Sequence, residues 1–304
     1  MLQSSHIQEN SPVEIVNHPL LEKHRVNLMI KRDDLIHPHI SGNKWRKLKY
    51  NLRAAQAQDH HTVLTFGGAF SNHIVATAVC ASLAGFSSIG IIRGEEAYAT
   101  NPTLSLAAAH GMRLHFVSRE EYRLKGEPDF FHMLSQKFGD CFVIPEGGAN
   151  NLGQKGCEEI ITSLERAFDY VAVAMGTGTT FLGMLKAAST TQMKVLGFPV
   201  IKNFNELDDQ LSEHYSKESH QLIKDYHFGG YAKFTNELVT FINEFRLNVG
   251  IALDPIYTGK MMYGLFDLIS TGYFPVGSNL LVVHTGGLQG IKGFNQMHGN
   301  LIHE

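Results

Sequence analysis

Short apolar runs rich in valine and isoleucine alternate with longer segments of helical periodicity, and this alternation constrains the fold more than any other feature of the chain. Thr62 to Phe66, Ser88 to Ile92, Arg113 to Val117 and Cys141 to Ile144 form one series; Tyr170 to Met175, Met193 to Phe198 and Leu280 to His284 form a second. A strand covered on both faces reads as a continuous apolar run, and its repetition between helical segments predicts βαβ units with parallel sheets. Two series predict two sheets, hence an α/β protein with two parallel-sheet lobes. The length of 304 residues agrees, because a single core stops growing at about 250 to 300 residues. The break falls at Pro145-Glu146-Gly147-Gly148-Ala149-Asn150, a stretch that continues neither a helix nor a central strand. An opening strand, Leu28 to Lys31, precedes the first series and is assigned to the second lobe. The smaller lobe is then an insertion, with predicted domains 1–46 plus 155–304 and 47–154. Ile74 to Phe86 is a candidate buried helix, and Asn203 to Phe245, polar and aromatic with weak periodicity, receives no role.

Charge and cysteine content remove several function classes. A formal net charge of −3 gives no broad positive field for a nucleic-acid backbone or an anionic membrane. The opening residues MLQSSHIQENSPVE are polar where a secretory leader needs a basic and then an apolar region, and no run reaches the ~18 to 20 apolar residues of a spanning helix. Cys80, Cys141 and Cys157 are odd in number and lack CxxC spacing, so neither a disulfide framework nor a zinc site is expected. The 17 histidines are scattered, with no HExxH pattern on a convincing helix. The expectation is a cytoplasmic protein with a small-molecule partner and no metal.

Four segments carry chemistry. Strand Tyr170 to Met175 runs into Gly176-Thr177-Gly178-Thr179-Thr180 and then an apolar helix from Phe181. Glycines let backbone N–H groups converge, threonine hydroxyls add donors, and a helix N-terminus adds partial positive charge, which together predict a phosphate cup. No Gly-Lys-Ser/Thr follows, and Phe181 occupies the third-glycine position of a dinucleotide fingerprint, so a single phosphate monoester fits best. Leu280 to Gly287 is a second strand ending in polar residues and glycines, Val283-His284-Thr285-Gly286-Gly287; ligands of open α/β sheets sit at such carboxyl ends. Phe66-Gly67-Gly68-Ala69-Phe70-Ser71-Asn72-His73 presents a hydroxyl, an amide and an imidazole from one turn. Ser41-Gly42-Asn43-Lys44-Trp45-Arg46-Lys47-Leu48 opens a basic helix. Lys44 lies between a small-residue turn and the only tryptophan, where partial burial would lower an ammonium pKa towards the range useful for imine chemistry.

Taken together, these residues resemble the pyridoxal 5′-phosphate (PLP) enzymes that include 1-aminocyclopropane-1-carboxylate deaminase and D-cysteine desulfhydrase, within the tryptophan-synthase-β-like fold (fold type II). The resemblance rests on IKRDDL (30 to 35), SGNKWRKL (41 to 48), FGGAFSNH (66 to 73), PEGGAN (145 to 150), GTGTT (176 to 180), LDPIYTGKMMYGL (253 to 265) and HTGG (284 to 287), which follow one another in family order. It implies that Lys44 carries the cofactor as a Schiff base, that Asn72 bonds its phenolic oxygen, and that Gly176, Thr177, Gly178, Thr179 and Thr180 hold its phosphate. Thr285 would contact the pyridine nitrogen, and Tyr257 matches an active-site tyrosine. Ser71, Asn72, His73 and His284 are the implied substrate contacts, with Lys44, Ser71 and Tyr257 catalytic. The larger domain would bind PLP, and the protein would be a homodimer.

The sequence departs from the family pattern around the reacting groups. Phe70 stands where related enzymes commonly have Gln, Val75-Ala76 follow where they have Arg-Gln, and His284-Thr285 replace the tyrosine and glutamate of the deaminase pattern. A neutral hydroxyl stabilises a protonated pyridinium less than a carboxylate does. The expected reaction is therefore deamination or β-elimination of a small amino acid to a 2-oxo acid and ammonia, D-cysteine desulfhydrase-like, with cyclopropane ring opening as the alternative. Two other readings are a PLP-binding homologue without turnover and a mononucleotide or phosphosugar binder that uses Gly176 to Thr180.

Overall fold

The computed structural model describes residues 7–40 and 42–303. Residues 1–6 of the polar opening segment and Ser41 of the basic stretch lie outside the described residues. In chain order the first elements are β1 (Val13–Ile15), α1 (Pro19–His24), β2 (Asn27–Lys31), α2 (Asn43–Ala57), β3 (Thr62–Gly68) and α3 (Asn72–Ala84). There follow β4 (Ser87–Arg93), α4 (Pro102–Ala109), β5 (Met112–Val117), α5 (Arg119–Arg123), α6 (Pro128–Phe138), β6 (Phe142–Ile144) and α7 (Asn151–Thr162). The remainder comprises β7 (Tyr170–Met175), α8 (Thr179–Ala188), β8 (Lys194–Pro199), α9 (Asp208–His214), β9 (His220–Leu222), α10 (Asn236–Val249), α11 (Thr258–Ser270), β10 (Asn279–Val283) and α12 (Gln289–His298).

The described chain forms two compact units. The smaller contains Ile7, His37–Ile40 and Lys44–Gly156, and the larger contains Gln8–Ile36 with residues 42–43 and 157–303. The junctions thus fall at 43/44 and 156/157, against the expected 46/47 and 154/155.

In the larger unit a six-stranded sheet has the order β1-β2-β10-β7-β8-β9, parallel except where β1 pairs antiparallel with β2. Alternate residues of each strand enter opposite cores, as period-2 geometry requires. Leu28, Ile30, Ala172, Ala174, Leu280 and Val282 face one side with residues of α10, α11 and α12; Met29, Val171, Val173, Met175, Leu281 and Val283 face the other with residues of α7 and α8. Both faces are therefore covered, which is why these strands read as unbroken apolar runs. The smaller unit repeats the arrangement with the four-stranded parallel order β5-β4-β3-β6. Leu64, Phe66, Ile89 and Ile91 pack on Tyr122, Phe130 and Leu134, while Ile74, Ala78, Ile92, Leu104 and Ala107 fill the opposite face.

Sequence and structure differ at the edges. β1 and β9 are each three residues long, and β1 exposes Val13 and Ile15, so neither carries an apolar run. The region 203–245, given no role from sequence, supplies β9 and α10. Helix α3 starts two residues before the apolar run, at Asn72, because Ser71 is its extended N-cap. Among the described residues no helix is long and apolar enough to cross a membrane.

Candidate active site

In the larger unit β7 delivers Gly176 to Thr180 from its carboxyl end into the first turn of α8. Gly178 is the N-cap, in the left-handed region at φ 79° and with no side-chain cap bond. A Cβ there would lie 2.5 Å from Leu207 Cδ1, so both the backbone angle and the space demand glycine. The first N–H groups of a helix have no partner within it, and the hydroxyls of Thr177 and Thr179, 3.0 Å apart, flank this end. Thr177 is exposed, whereas Thr179 and Thr180 are buried. The donors are backbone amides and neutral hydroxyls in a segment without an acidic residue, a set suited to a phosphate.

The two residues immediately preceding Lys44 are held in the larger unit, Asn43 at this cradle and Gly42 at the end of β10. The amide of Asn43 donates from Nδ2 to Thr180 Oγ1 at 3.0 Å. Gly42, at φ 29°, passes so close to the end of β10 that a Cβ would lie 2.7 Å from the Thr285 carbonyl oxygen and 2.9 Å from that of Asp33. Chain connectivity then fixes where Lys44 begins. Neither Gly42 nor Asn43 had been given a role from sequence.

Tyr257 is the N-cap of α11, and a Cβ on Gly176 would meet its ring at 3.3 Å. Buried Asp254 places it. The carboxylate accepts from the N–H groups of Ile256, Tyr257 and Thr258 at 2.8 to 2.9 Å and from Thr258 Oγ1 at 2.7 Å. A carboxylate at a helix N-terminus both satisfies orphan donors and complements the dipole. The Asp-x-x-x-Thr spacing ahead of an apolar helix was the available signal for it.

His284 directly follows β10. It is 1% exposed, its Nε2 lies 2.8 Å from the Ala252 carbonyl, and its Nδ1 accepts from Gly286 N–H at 3.2 Å. Both ring nitrogens are thus bonded to backbone groups, and His284 braces the Thr285-Gly286-Gly287 turn. Asp34 lies 3.5 Å from Nδ1 and is itself held by Arg32 at 2.7 Å, which gives the IKRDDL segment a supporting role. Thr285 is buried beside this turn.

In the smaller unit β3 ends in Gly67-Gly68 and turns through Ser71 into α3. A Cβ on Gly67 would lie 2.8 Å from Ser71 Oγ, so the missing side chain makes room for the hydroxyl. Ser71 makes no side-chain cap bond, its N–H donates to the Gly68 carbonyl at 3.0 Å, and both Ser71 and Asn72 are half-buried. His73, in contrast, points inward: it is 2% exposed, with Nε2 2.9 Å from Thr65 Oγ1. Thr65 gives its one hydroxyl proton to the Ile144 carbonyl at 2.8 Å, so His73 donates from Nε2. Burial, then the nearby ammonium charges of Lys44 and Lys47, hold the imidazole well below its ordinary value of 6.5. It is a neutral ring beneath the turn, with Nε2 spent on Thr65 and Nδ1 buried without a hydrogen-bond partner among the described residues.

Lys44 is half-buried in the first turn of α2. That helix is clamped from the PEGGAN segment and α7. Lys47 donates to the Gly147 carbonyl at 3.3 Å, Asn51 and Asn150 exchange amide bonds at 2.7 and 3.2 Å, and a Cβ on Gly156 would collide with the Arg46 carbonyl. Phe70 stands exposed beside Ser71, edge-on to Tyr98 at 6.3 Å. The structure thus carries Gly176 to Thr180, Tyr257, His284 and Thr285 on the larger unit, and Lys44, Ser71, Asn72 and His73 on the smaller.

Comparison with known proteins agrees with this geometry. Residues 8–286 match the family described as pyridoxal-phosphate dependent enzyme. The bifunctional D-cysteine desulfhydrase/1-aminocyclopropane-1-carboxylate deaminase of Arabidopsis thaliana, a mitochondrial protein, is 32% identical over 87% of this chain and 73% of its own. A Pyrococcus abyssi protein provisionally named 1-aminocyclopropane-1-carboxylate deaminase is 33% identical over 89% of this chain and 87% of its own. The crystal structure of an ACC deaminase homologue, 30% identical, superimposes with a TM-score of 0.81 and covers 97% of this chain and 95% of that one.

Proposed function

The chain belongs to the family of pyridoxal-phosphate dependent enzymes, and from that premise we propose that it deaminates a small amino acid by β-elimination, in the manner of a D-cysteine desulfhydrase. The residues present fit the cofactor. The cradle at Gly176 to Thr180 is shaped by a left-handed glycine and offers neutral donors at a helix N-terminus, a set suited to a phosphate. The observation that carries the reading is the pair of ties from Gly42 and Asn43 to Thr285 and Thr180. They anchor Asn43, the residue before Lys44 in the chain, to the cradle at Thr180, and Gly42 to the end of β10.

When bound, pyridoxal phosphate supplies an electron sink for negative charge at the substrate Cα. The chain supplies the rest. The backbone N–H groups and hydroxyls of residues 176 to 180 would hold the phosphate, and the Asn72 amide would serve the phenolic oxygen. Lys44 would hold the cofactor through its side-chain amine, and Nζ would accept the Cα proton. Ser71 would orient the substrate carboxylate, and Tyr257, whose backbone N–H is held by Asp254, would handle the proton at the departing group. Thr285, a hydroxyl where a carboxylate would favour a protonated pyridine, favours loss of a β-substituent over ring opening. For cysteine the sum is one water consumed and pyruvate, ammonia and hydrogen sulfide released. The larger unit is assigned as the cofactor domain.

We place the protein in the cytoplasm as a homodimer; its three cysteines are free thiols, two of them buried, as a reducing compartment favours. The test of function is a panel of D-cysteine, L-cysteine, D-serine, β-chloroalanine and the cyclopropane amino acid, assayed for 2-oxo acid and sulfide. Sulfide and pyruvate from cysteine are expected. Turnover of the cyclopropane alone replaces this reading with ring opening, and no turnover of any of them removes it.

A further inference from the structure

Lys260 lies in the first turn of α11, three residues after Tyr257, and at 1% exposure is among the largest fully buried side chains of the protein. Nothing in the reaction described above uses it. Its Nζ donates to two backbone carbonyls, His227 at 2.9 Å and Gly230 at 2.7 Å. Taking an ammonium out of water costs several kcal/mol unless charge and hydrogen bonds replace the lost hydration. Here the two carbonyls supply the bonds and Asp254 supplies the opposite charge, although burial still lowers the Lys260 pKa to about 8. An apolar side chain would fill such a position at lower cost, so what the lysine holds is the informative part.

It holds a loop of strained backbone. Phe228, Gly229, Gly230 and Ala232 adopt φ of 52°, 90°, 118° and 55°. A left-handed conformation is unfavourable for Phe228 and Ala232, and a run of them persists only where the surroundings impose it. Within the loop Gly230 N–H donates to the His227 carbonyl, Lys233 N–H to the Gly230 carbonyl, and Gly229 N–H to His227 Nδ1. The two carbonyls that close these turns are the same two that receive Lys260. Within the loop sits Tyr231, 49% exposed, whose ring meets Tyr257 edge to face with centroids 6.0 Å apart. Tyr257 in turn rests against Gly176 of the phosphate cradle. A continuous series of contacts therefore runs from the buried ammonium through the loop carbonyls and Tyr231 to the tyrosine at the cradle, all within the larger unit.

We propose that Lys260 is a positioning residue that pins the 227–230 loop from below, and thereby fixes Tyr231 against Tyr257 so that the Tyr257 hydroxyl keeps one orientation. The proposal draws a role for region 203–245 out of a motif, YTGKMMYGL, whose lysine the reaction leaves idle. It rests on the assignment of Tyr257 to the reaction, but the pinning itself does not.

The experiment uses the holoenzyme with variants K260M, K260R, Y231A and K260M/Y231A, and has one readout independent of turnover. Lys233 is exposed at the end of the loop, so tryptic cleavage after it reports how often the loop opens. K260M is expected to be cut about tenfold or more faster than wild type under native conditions, and K260R, which keeps the donors, less than threefold faster. Equal cutting of K260M and wild type overturns the pin. In turnover, K260M and Y231A are each expected to lower kcat about tenfold with KM within twofold, since a small misplacement of a reacting group falls on the chemical step. The double variant is expected to be no slower than either single one. A hundredfold loss in the double variant, the product of independent effects, overturns the relay through Tyr231. If K260M does not fold, native-state hydrogen exchange of the wild type decides: the amides of Gly230 and Lys233 are expected to be as protected as those of α11, and fraying-level protection overturns the pin. A wild type that turns over no amino acid sinks the functional reading while the cleavage comparison still judges the pin.

Discussion

The phosphate cradle of the larger unit and the Lys44 region of the smaller one are built from opposite materials. Around Gly176 to Thr180 the groups facing the ligand position are backbone amides and neutral hydroxyls, and the charged neighbours are spent on the fold: Asp254 on three N–H groups, Asp34 on Arg32, Lys260 on two carbonyls. Around Ser71 to His73 the chain instead gathers basic groups, with Lys44, Lys47 and a buried neutral imidazole near one another. The difference separates two tasks. Fixed dipoles receive an anion without having to reorganise, whereas proton transfer needs an amine whose charge state can change.

Exchanging the two kinds of damage breaks the comparison most sharply. Lys44→Ala is expected to reduce 2-oxo acid release by about a thousandfold or more, while phosphate-dependent cofactor affinity, read by equilibrium dialysis, changes less than tenfold. Gly178→Val is expected to do the reverse. With φ 79° and Leu207 Cδ1 2.5 Å from the would-be Cβ, it should weaken cofactor affinity about a hundredfold and lower stability by about 2 to 4 kcal/mol. If Lys44→Ala abolished binding and Gly178→Val only slowed turnover, the division of tasks would be wrong.

Smaller effects sharpen it. Asp254→Ala strips buried N–H groups of their acceptor and is expected to cost about 2 kcal/mol, seen as a lowered midpoint in urea, with Asp254→Asn recovering part of the loss. The smallest effect is a pH dependence. His73 has a folded-state pKa below its unfolded value of 6.5, so the unfolded chain takes up the proton first. The stability of the neutral ring is present above pH 6.5 and is lost as pH falls from there through the folded value, with a slope of at most about 1.4 kcal/mol per pH unit. His73→Gln should flatten that slope between pH 6.5 and 5. An unchanged slope would place the proton uptake on another group.

The fold was readable where a strand is covered on both faces, because Val171 to Met175 and Leu280 to Val283 then show no polar interruption. The three-residue edge strands β1 and β9 offer no such run, and the antiparallel pairing of β1 depends on tertiary contact alone. In the site, glycines required by geometry were legible, since a Gly-Thr-Gly-Thr-Thr turn ahead of an apolar helix has few uses. Side-chain direction was not. Thr65, Ala252 and Gly286, distant or unremarkable in the chain, take up His73 Nε2 and both ring nitrogens of His284. The importance of Asn43 and Gly42 was hidden for the same reason: their partners, Thr180 and Thr285, lie 137 or more residues away.

The central claim, that Lys44 is the residue committed to the cofactor, is tested most directly by borohydride reduction of the protein loaded with pyridoxal phosphate, followed by mass mapping of the modified peptide. The account predicts bleaching of the visible absorbance and a single stoichiometric adduct on Lys44. An adduct on Lys47, Lys49 or Lys260 in its place, or no fixed adduct at all, would contradict it.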